Sequence, residues 1–93
     1  PGTTRFKVGD RVAAIFFQGW IAGRPTAQTG ASALGGAIDG MLAQYVTLSE
    51  EGLVPVPEHL SLEDAATLPC AAVTAWHGLV SRGRMQAGDN VLL

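Results

Sequence analysis

Cys70 and His77 are the residues best placed to do chemistry, and both lie in one short stretch, "LPCAAVTAWHGL", residues 68–79. Cys70 is the chain's one cysteine and His77 one of its two histidines. A thiolate activated by an imidazolium would make a nucleophile. Seven positions along one helix, however, put the two α-carbons about 10.5 Å apart. That is two turns, too far for a direct pair. Read from spacing alone, the cysteine is a small hydrophobe and the histidine a partly exposed neighbour. Metal binding fares no better. Cys70 offers one ligand where zinc takes three or four, and His59 and His77 could join it only through a tertiary approach, so no zinc is expected. The glycine clusters, "GGAIDG" among them, lack the strand–G-x-G-x-x-G–helix setting of a dinucleotide fingerprint. "GDNVLL" has the character of the strand that precedes such a loop.

The elements that must position these residues follow from the pattern. Gly9-Asp10 signals a turn, and Arg11 to Phe17 reads as a short apolar strand. Gln18 to Gly40 has no sustained period and is long for a connection inside a compact domain, the mark of a functional, mobile or vestigial loop. Asp39-Gly40 then turns into Met41 to Leu48, read as a strand. Leu53 to Val56 is a second, shorter one, placed at a sheet edge by Pro55 and Pro57. Ser61 caps a helix over about Leu62 to Thr67, with Asp64 answering as a weak capping box. Pro69 should break or kink that helix. A second helix is predicted from Cys70 to Ser81, stopped by Gly83, with Val73, Trp76, Leu79 and Val80 on one apolar face and cover on more than one side. Gly88-Asp89 turns again, and Val91 to Leu93 starts a last strand.

Composition sets the outer bounds. The 93 residues are 47% hydrophobic and only 15% charged, against the usual quarter, so some surface expects cover. The net charge of −2 and scattered basic residues offer no track for a phosphate backbone, which argues against nucleic acid. One cysteine gives no internal disulfide framework and suits a reducing compartment. No apolar run approaches the roughly 20 residues of a membrane span, and no signal peptide is visible, so a cytoplasmic, soluble chain is expected. The opening "PGTTRF" without methionine and the close inside an apolar run suggest a segment of a longer parent.

The order of the motifs is more specific than any one of them. "FKVGDRVA", then a long loop, then "DGMLAQYVTL", "VPVPEHLSLEDAATLPCAAVTAWHGL" and "GDNVLL" resemble the medium-chain dehydrogenase/reductase superfamily, in its zinc-type alcohol dehydrogenase-like and quinone oxidoreductase-like branch. The resemblance implies an α+β segment. Residues 1–68 would be a partial GroES-like β-barrel of the catalytic domain. Residues 69–93 would be an interdomain helix leading into the first strand of a Rossmann domain. It implies NAD(P)(H) as cofactor of the parent and an alcohol, aldehyde, ketone, enone or quinone as its small-molecule substrate.

By the same resemblance, Phe16 falls at an aromatic or apolar wall of the substrate pocket. Cys70 falls at a zinc-ligand position of zinc-dependent relatives and here lines the substrate pocket. Thr74 falls beside the nicotinamide ring. The loop after GDRV carries four cysteines for a structural zinc in zinc alcohol dehydrogenases, and Gln18 to Gly40 has none. The isolated segment is expected to bind no cofactor tightly and to be inactive. The alternative is a catalytically inactive module whose exposed strand edges drive a homodimer or larger assembly.

Overall fold

The computed structural model describes residues 2–92. Its scaffold is a two-stranded antiparallel sheet, β1 (Val12–Ala14) and β2 (Leu53–Pro55), paired Val12 to Pro55, Ala13 to Val54 and Ala14 to Leu53. The ladder runs on at both ends, as Val56 N–H donates to Arg11 O at 2.9 Å and Ile15 N–H to Gly52 O at 3.0 Å. Both strands fall inside the spans expected from the sequence and are shorter than those spans. The edge character assigned to the second strand holds, since Pro55 ends it. The class is α+β, with a small sheet corner where a partial barrel was expected.

Side chains brace this corner across long sequence separations. Glu50 sits in a 3₁₀ turn, Glu50–Gly52, and accepts from the amides of Thr4 and Arg5 at 2.9 and 2.8 Å. Those bonds, with the nearby Arg5 charge, hold the Glu50 carboxyl below its ordinary value. Arg11 donates to Leu60 O at 2.6 Å, tying β1 to the chain beyond β2. Lys7-Val8-Gly9-Asp10 closes as a turn because Gly9 takes φ +95°, and Asp10 accepts from the Lys7 amide at 3.0 Å.

The long loop is ordered, though by local bonds that leave no periodic trace. Thr26 caps α1 (Ala27–Gly30), and Thr29 returns a bond to the Thr26 amide, a reciprocal capping box. Ser32 then clamps the loop's start: its carbonyl accepts from Gln18 N–H at 3.1 Å and its Oγ from Gly19 N–H at 2.9 Å. Phe17 bridges to Ala33 and Leu34 to Ile38.

Met41 to Leu48 does not form the expected strand. β pairing needs a neighbour to take its amides and carbonyls, and among the described residues no strand lies beside it. Leu42 and Tyr45 stand almost fully exposed. The pattern of apolar and β-branched residues there is real, but pattern alone does not make a ladder.

Helical structure begins at the expected position. Ser61 is the N-cap of α2 (Leu62–Thr67), its Oγ accepting from Asp64 N–H at 3.0 Å and donating to the Asp64 carboxylate at 2.7 Å. α2 ends at Thr67, as expected, while the helical path runs on through Pro69 without a break. The Ala65 carbonyl, which Pro69 cannot serve, accepts instead from Leu68 N–H. The backbone then widens into a π-helical stretch, Leu68–Ala72, in which Val73 N–H donates back to Leu68 O. α3 (Val73–Trp76) and a second π-helical stretch, His77–Arg82, complete one continuous rod.

The rod ends at Gly83 as expected, but for a different reason. Gly83 keeps helical φ and ψ, and a Cβ there would sit 2.6 Å from Leu79 O. The left-handed residue is Arg84, at φ 54°. Gly88-Asp89 then repeats the Gly9-Asp10 turn, Asp89 accepting from Gln86 N–H at 2.7 Å. The expected last strand lies partly outside the described residues at Leu93, and Val91 and Leu92 pair with no strand among them.

Cover over the rod is thin. Ala65, 2% exposed, is its one buried residue, where α2 meets β1, whereas Trp76 is 66% exposed. The expectation that this helix is covered on several sides therefore fails for the described residues. The chain exposes 7681 Å², against about 5,100 Å² for a compact chain of its mass. No helix among the described residues is long and apolar enough to cross a membrane.

Candidate functional site

Between the sheet corner and the rod lies an open cleft of about 520 Å³. Its first wall grows out of β1. Beyond the strand the chain runs through Ile15 and Phe16 to Phe17, where it turns and Trp20 N–H donates back to Phe17 O at 3.0 Å. The turn stacks the rings in sequence. Phe16 and Phe17 meet edge to face with centroids 4.7 Å apart, and Phe17 and Trp20 likewise at 5.7 Å. Trp20 is fixed from its other side by Nε1–H, which donates to Gly23 O at 3.1 Å.

The second wall is one face of the rod, Pro69, Cys70, Val73, Thr74 and His77. Steps of three and four residues stack these side chains over one another. Thr74 Oγ1–H donates to the Cys70 carbonyl at 2.6 Å, a bond one turn back that occupies the hydroxyl proton and leaves its lone pairs free. Cys70 is exposed and in no disulfide.

All three residues singled out from the sequence, Phe16, Cys70 and Thr74, therefore line the same cleft. His59 lies outside this lining and His77 within it. Among the described residues no three of His, Cys, Asp and Glu stand close enough to share a cation. The cleft lining holds one thiol, one imidazole and, at its rim, the Glu51 carboxylate, and these are not gathered into the three- or four-ligand set a zinc ion takes.

Sequence reading missed Trp20, Ile21, Pro69 and Val73 as lining residues. For Pro69 and Val73 the signal was available, since they share the Cys70–Thr74–His77 stripe. Trp20 and Ile21 depend on the path of the long loop, which no period announces. Gln18, which supports the first wall, was equally invisible in the pattern. Its Nε2 donates to Ile15 O at 2.7 Å and to Gly52 O at 3.1 Å. Gly52 leaves room for it, for a Cβ there would meet the Gln18 amide and push that side chain off its two carbonyl partners. The Gln18 Oε1 is buried and has no hydrogen-bond partner.

A second cavity, about 620 Å³, opens near Arg5, Asp10, Arg11 and Glu58. Three of its charges, those of Arg5, Asp10 and Arg11, are already committed. Asp10 pairs with Lys7 Nζ at 2.6 Å, and Arg5 and Arg11 donate to backbone carbonyls. Its lining holds one ring, Phe6, and no thiol.

Comparison with known proteins matches this architecture. The family of the alcohol dehydrogenase GroES-like domain matches residues 1–58. A zinc-type alcohol dehydrogenase-like protein of Schizosaccharomyces pombe is 47% identical over 90 residues, 95% of this chain and 26% of its own length. An alcohol dehydrogenase of Geobacillus stearothermophilus is 32% identical over 90 residues, with 89% of this chain and 27% of its own covered. A crystal structure of an alcohol dehydrogenase candidate from Sinorhizobium meliloti 1021 superposes with a TM-score of 0.84 at 48% identity, covering 95% of this chain and 27% of that one. The chain belongs to the alcohol dehydrogenase GroES-like domain family, as the order of its motifs implied. It spans about a quarter of the length of the curated relatives it matches.

Proposed function

We infer that this segment forms the substrate wall of the active-site cleft in an NAD(P)(H)-dependent oxidoreductase of the medium-chain type. The substrates are alcohols and the corresponding carbonyl compounds, with enones and quinones as the wider class. One observation carries the reading: Phe16, Cys70 and Thr74, far apart in sequence, line one cleft in a chain of this family. Phe16 and Cys70 shape the substrate pocket. Thr74 faces the nicotinamide.

The residues present suit the ring end of such a cofactor. Apolar walls accept a flat ring, and the Thr74 lone pairs can accept from a carboxamide N–H, because its own proton is held by Cys70 O. No Gly-x-Gly-x-x-Gly occurs in the sequence, so this segment contributes nothing of that kind toward a pyrophosphate. A bound nicotinamide supplies the hydride acceptor or donor, and the protein supplies position and a dry surrounding. The aromatic wall does the drying here. This segment's own donors in the cleft are not gathered to hold a zinc ion.

The inactive, self-associating module is the second reading. The exposed apolar surface permits it, and the family relationship favours the rest of a longer protein as cover.

The test is alcohol oxidation by the full-length protein, followed through NAD(P)H absorbance. Phe16→Ala is expected to raise KM, and Thr74→Val to lower kcat/KM about tenfold, the loss of one hydrogen bond made to a bound ligand. The segment alone is expected to show no turnover. Catalysis by the isolated segment, or full activity in both variants, would overturn the reading.

A further inference from the structure

We propose that the cleft takes an uncharged, ring-bearing apolar alcohol or carbonyl compound and that Trp20 sets this preference; the proposal rests on the oxidoreductase reading above. The first argument is the wall itself. Phe16, Phe17 and Trp20 form a run of edge-to-face rings along the cleft, with Ile21 extending it. A ring-bearing substrate continues such a series, adding edge or face contacts that a short aliphatic chain cannot make.

The second argument is rigidity. Trp20 is held by Phe17 on one side and by its Nε1–H bond to Gly23 O on the other. The turn beneath it is pinned by Ser32 through Gln18 and Gly19. The packing there is close, since a Cβ on Gly19 would approach Ser32 Oγ to 3.2 Å. A ring fixed in advance loses little freedom when a ligand docks on it. The loop from Gln18 to Gly40 thus presents Trp20 and Ile21 to the cleft.

The third argument is charge. The charged residues lining the cleft are Arg5 and Glu51, which face each other at 3.5 Å at the exposed rim. Neither is free to select an anion or a cation. The other polar groups along the walls are a thiol, an imidazole and a hydroxyl whose proton is engaged. A polyol would bring several hydroxyls against rings and find few partners, which is costly.

The experiment compares kcat/KM of the full-length protein for benzyl alcohol, ethanol and glycerol. Benzyl alcohol is expected to be the best of the three. Trp20→Ala should lower its kcat/KM about tenfold and that for ethanol by clearly less, so that the ratio between the two falls, with Trp20→Phe recovering much of the loss. Ile21→Ala, at a site 59% exposed and so tolerant of truncation, should shift the ratio the same way by less. It keeps the test open if Trp20→Ala fails to fold. A preference for ethanol or glycerol, or equal losses on every substrate, would overturn the proposal. If nothing turns over with either nicotinamide cofactor, the oxidoreductase reading has failed, and a benzyl alcohol titration separates the two. Movement of the Trp20 indole N–H resonance would then support a ring-binding cleft without redox chemistry. A stationary resonance would overturn both.

Discussion

The sheet corner and the helical rod are held by different kinds of bond. In the corner, side chains reach across the sequence: Glu50 to Thr4 and Arg5, Arg11 to Leu60, Gln18 to Gly52. In the rod and the turns after it, side-chain hydrogen bonds stay within four residues: Ser61 with Asp64, Thr67 with Asp64, Thr74 with Cys70, Gln86 with Asp89. The corner is therefore a tertiary structure, whereas the rod is a local one leaning on it at Ala65. Since the cleft has one wall on each, its width depends on how α2 seats against β1.

Breaking that contact should have the largest effect. Ala65→Asp would bury a charge with no partner where α2 meets β1, costing roughly 3 kcal/mol or more. Amide exchange should show α2 and the π-helical turns losing protection while the Thr4 and Arg5 amides keep theirs. Loss of both together would mean that the two regions fold as one unit.

The corner can be attacked separately. Gly52→Ala drives a Cβ into the Gln18 amide, and such overpacking costs about 1–3 kcal/mol. Urea unfolding should register the loss, and resonances from Ala72 to Arg82 should hardly move. Within the rod, Ser61→Ala removes the cap, worth about 1 kcal/mol, and should fray the first turn of α2 without disturbing the sheet.

The smallest effect is on pH. Hydrogen bonds hold the carboxyls of Glu50 and Asp10 below their ordinary values of 4.5 and 3.8. Both groups therefore favour the folded corner above those values, and that contribution is lost as pH falls through the lowered ones. The Thr4 and Arg5 amides should begin to exchange faster in that acid range. Glu50→Gln should flatten their pH dependence, and an unchanged profile would remove Glu50 as the cause.

The same contrast explains what the sequence disclosed. Local devices were legible: the turn at Gly9-Asp10, the Ser61 cap and the span of α2 need only neighbouring residues. Pro69 does remove a donor, as its chemistry requires, but a π-helical widening kept the rod continuous, a choice made by backbone geometry rather than composition. Met41 to Leu48 has a strand's pattern without a strand's partner. Ordering of the long loop hinges on Ser32 meeting Gln18 and Gly19, which no periodicity encodes. Of the cleft, Phe16, Cys70 and Thr74 came from family resemblance. Pro69 and Val73 were implied by the helical stripe through Cys70, and Trp20 needed the folded loop.

Cys70, as the chain's one thiol, permits the most direct test that the two walls face each other. A nitroxide attached there should broaden the resonances of Phe16, Phe17 and the Trp20 indole N–H, all distant from it in sequence, and spare Lys7 and Gly88. Broadening confined to the helical neighbours of Cys70, from Thr67 to Val80, would mean that the rod stands away from the sheet and that the cleft does not exist as described.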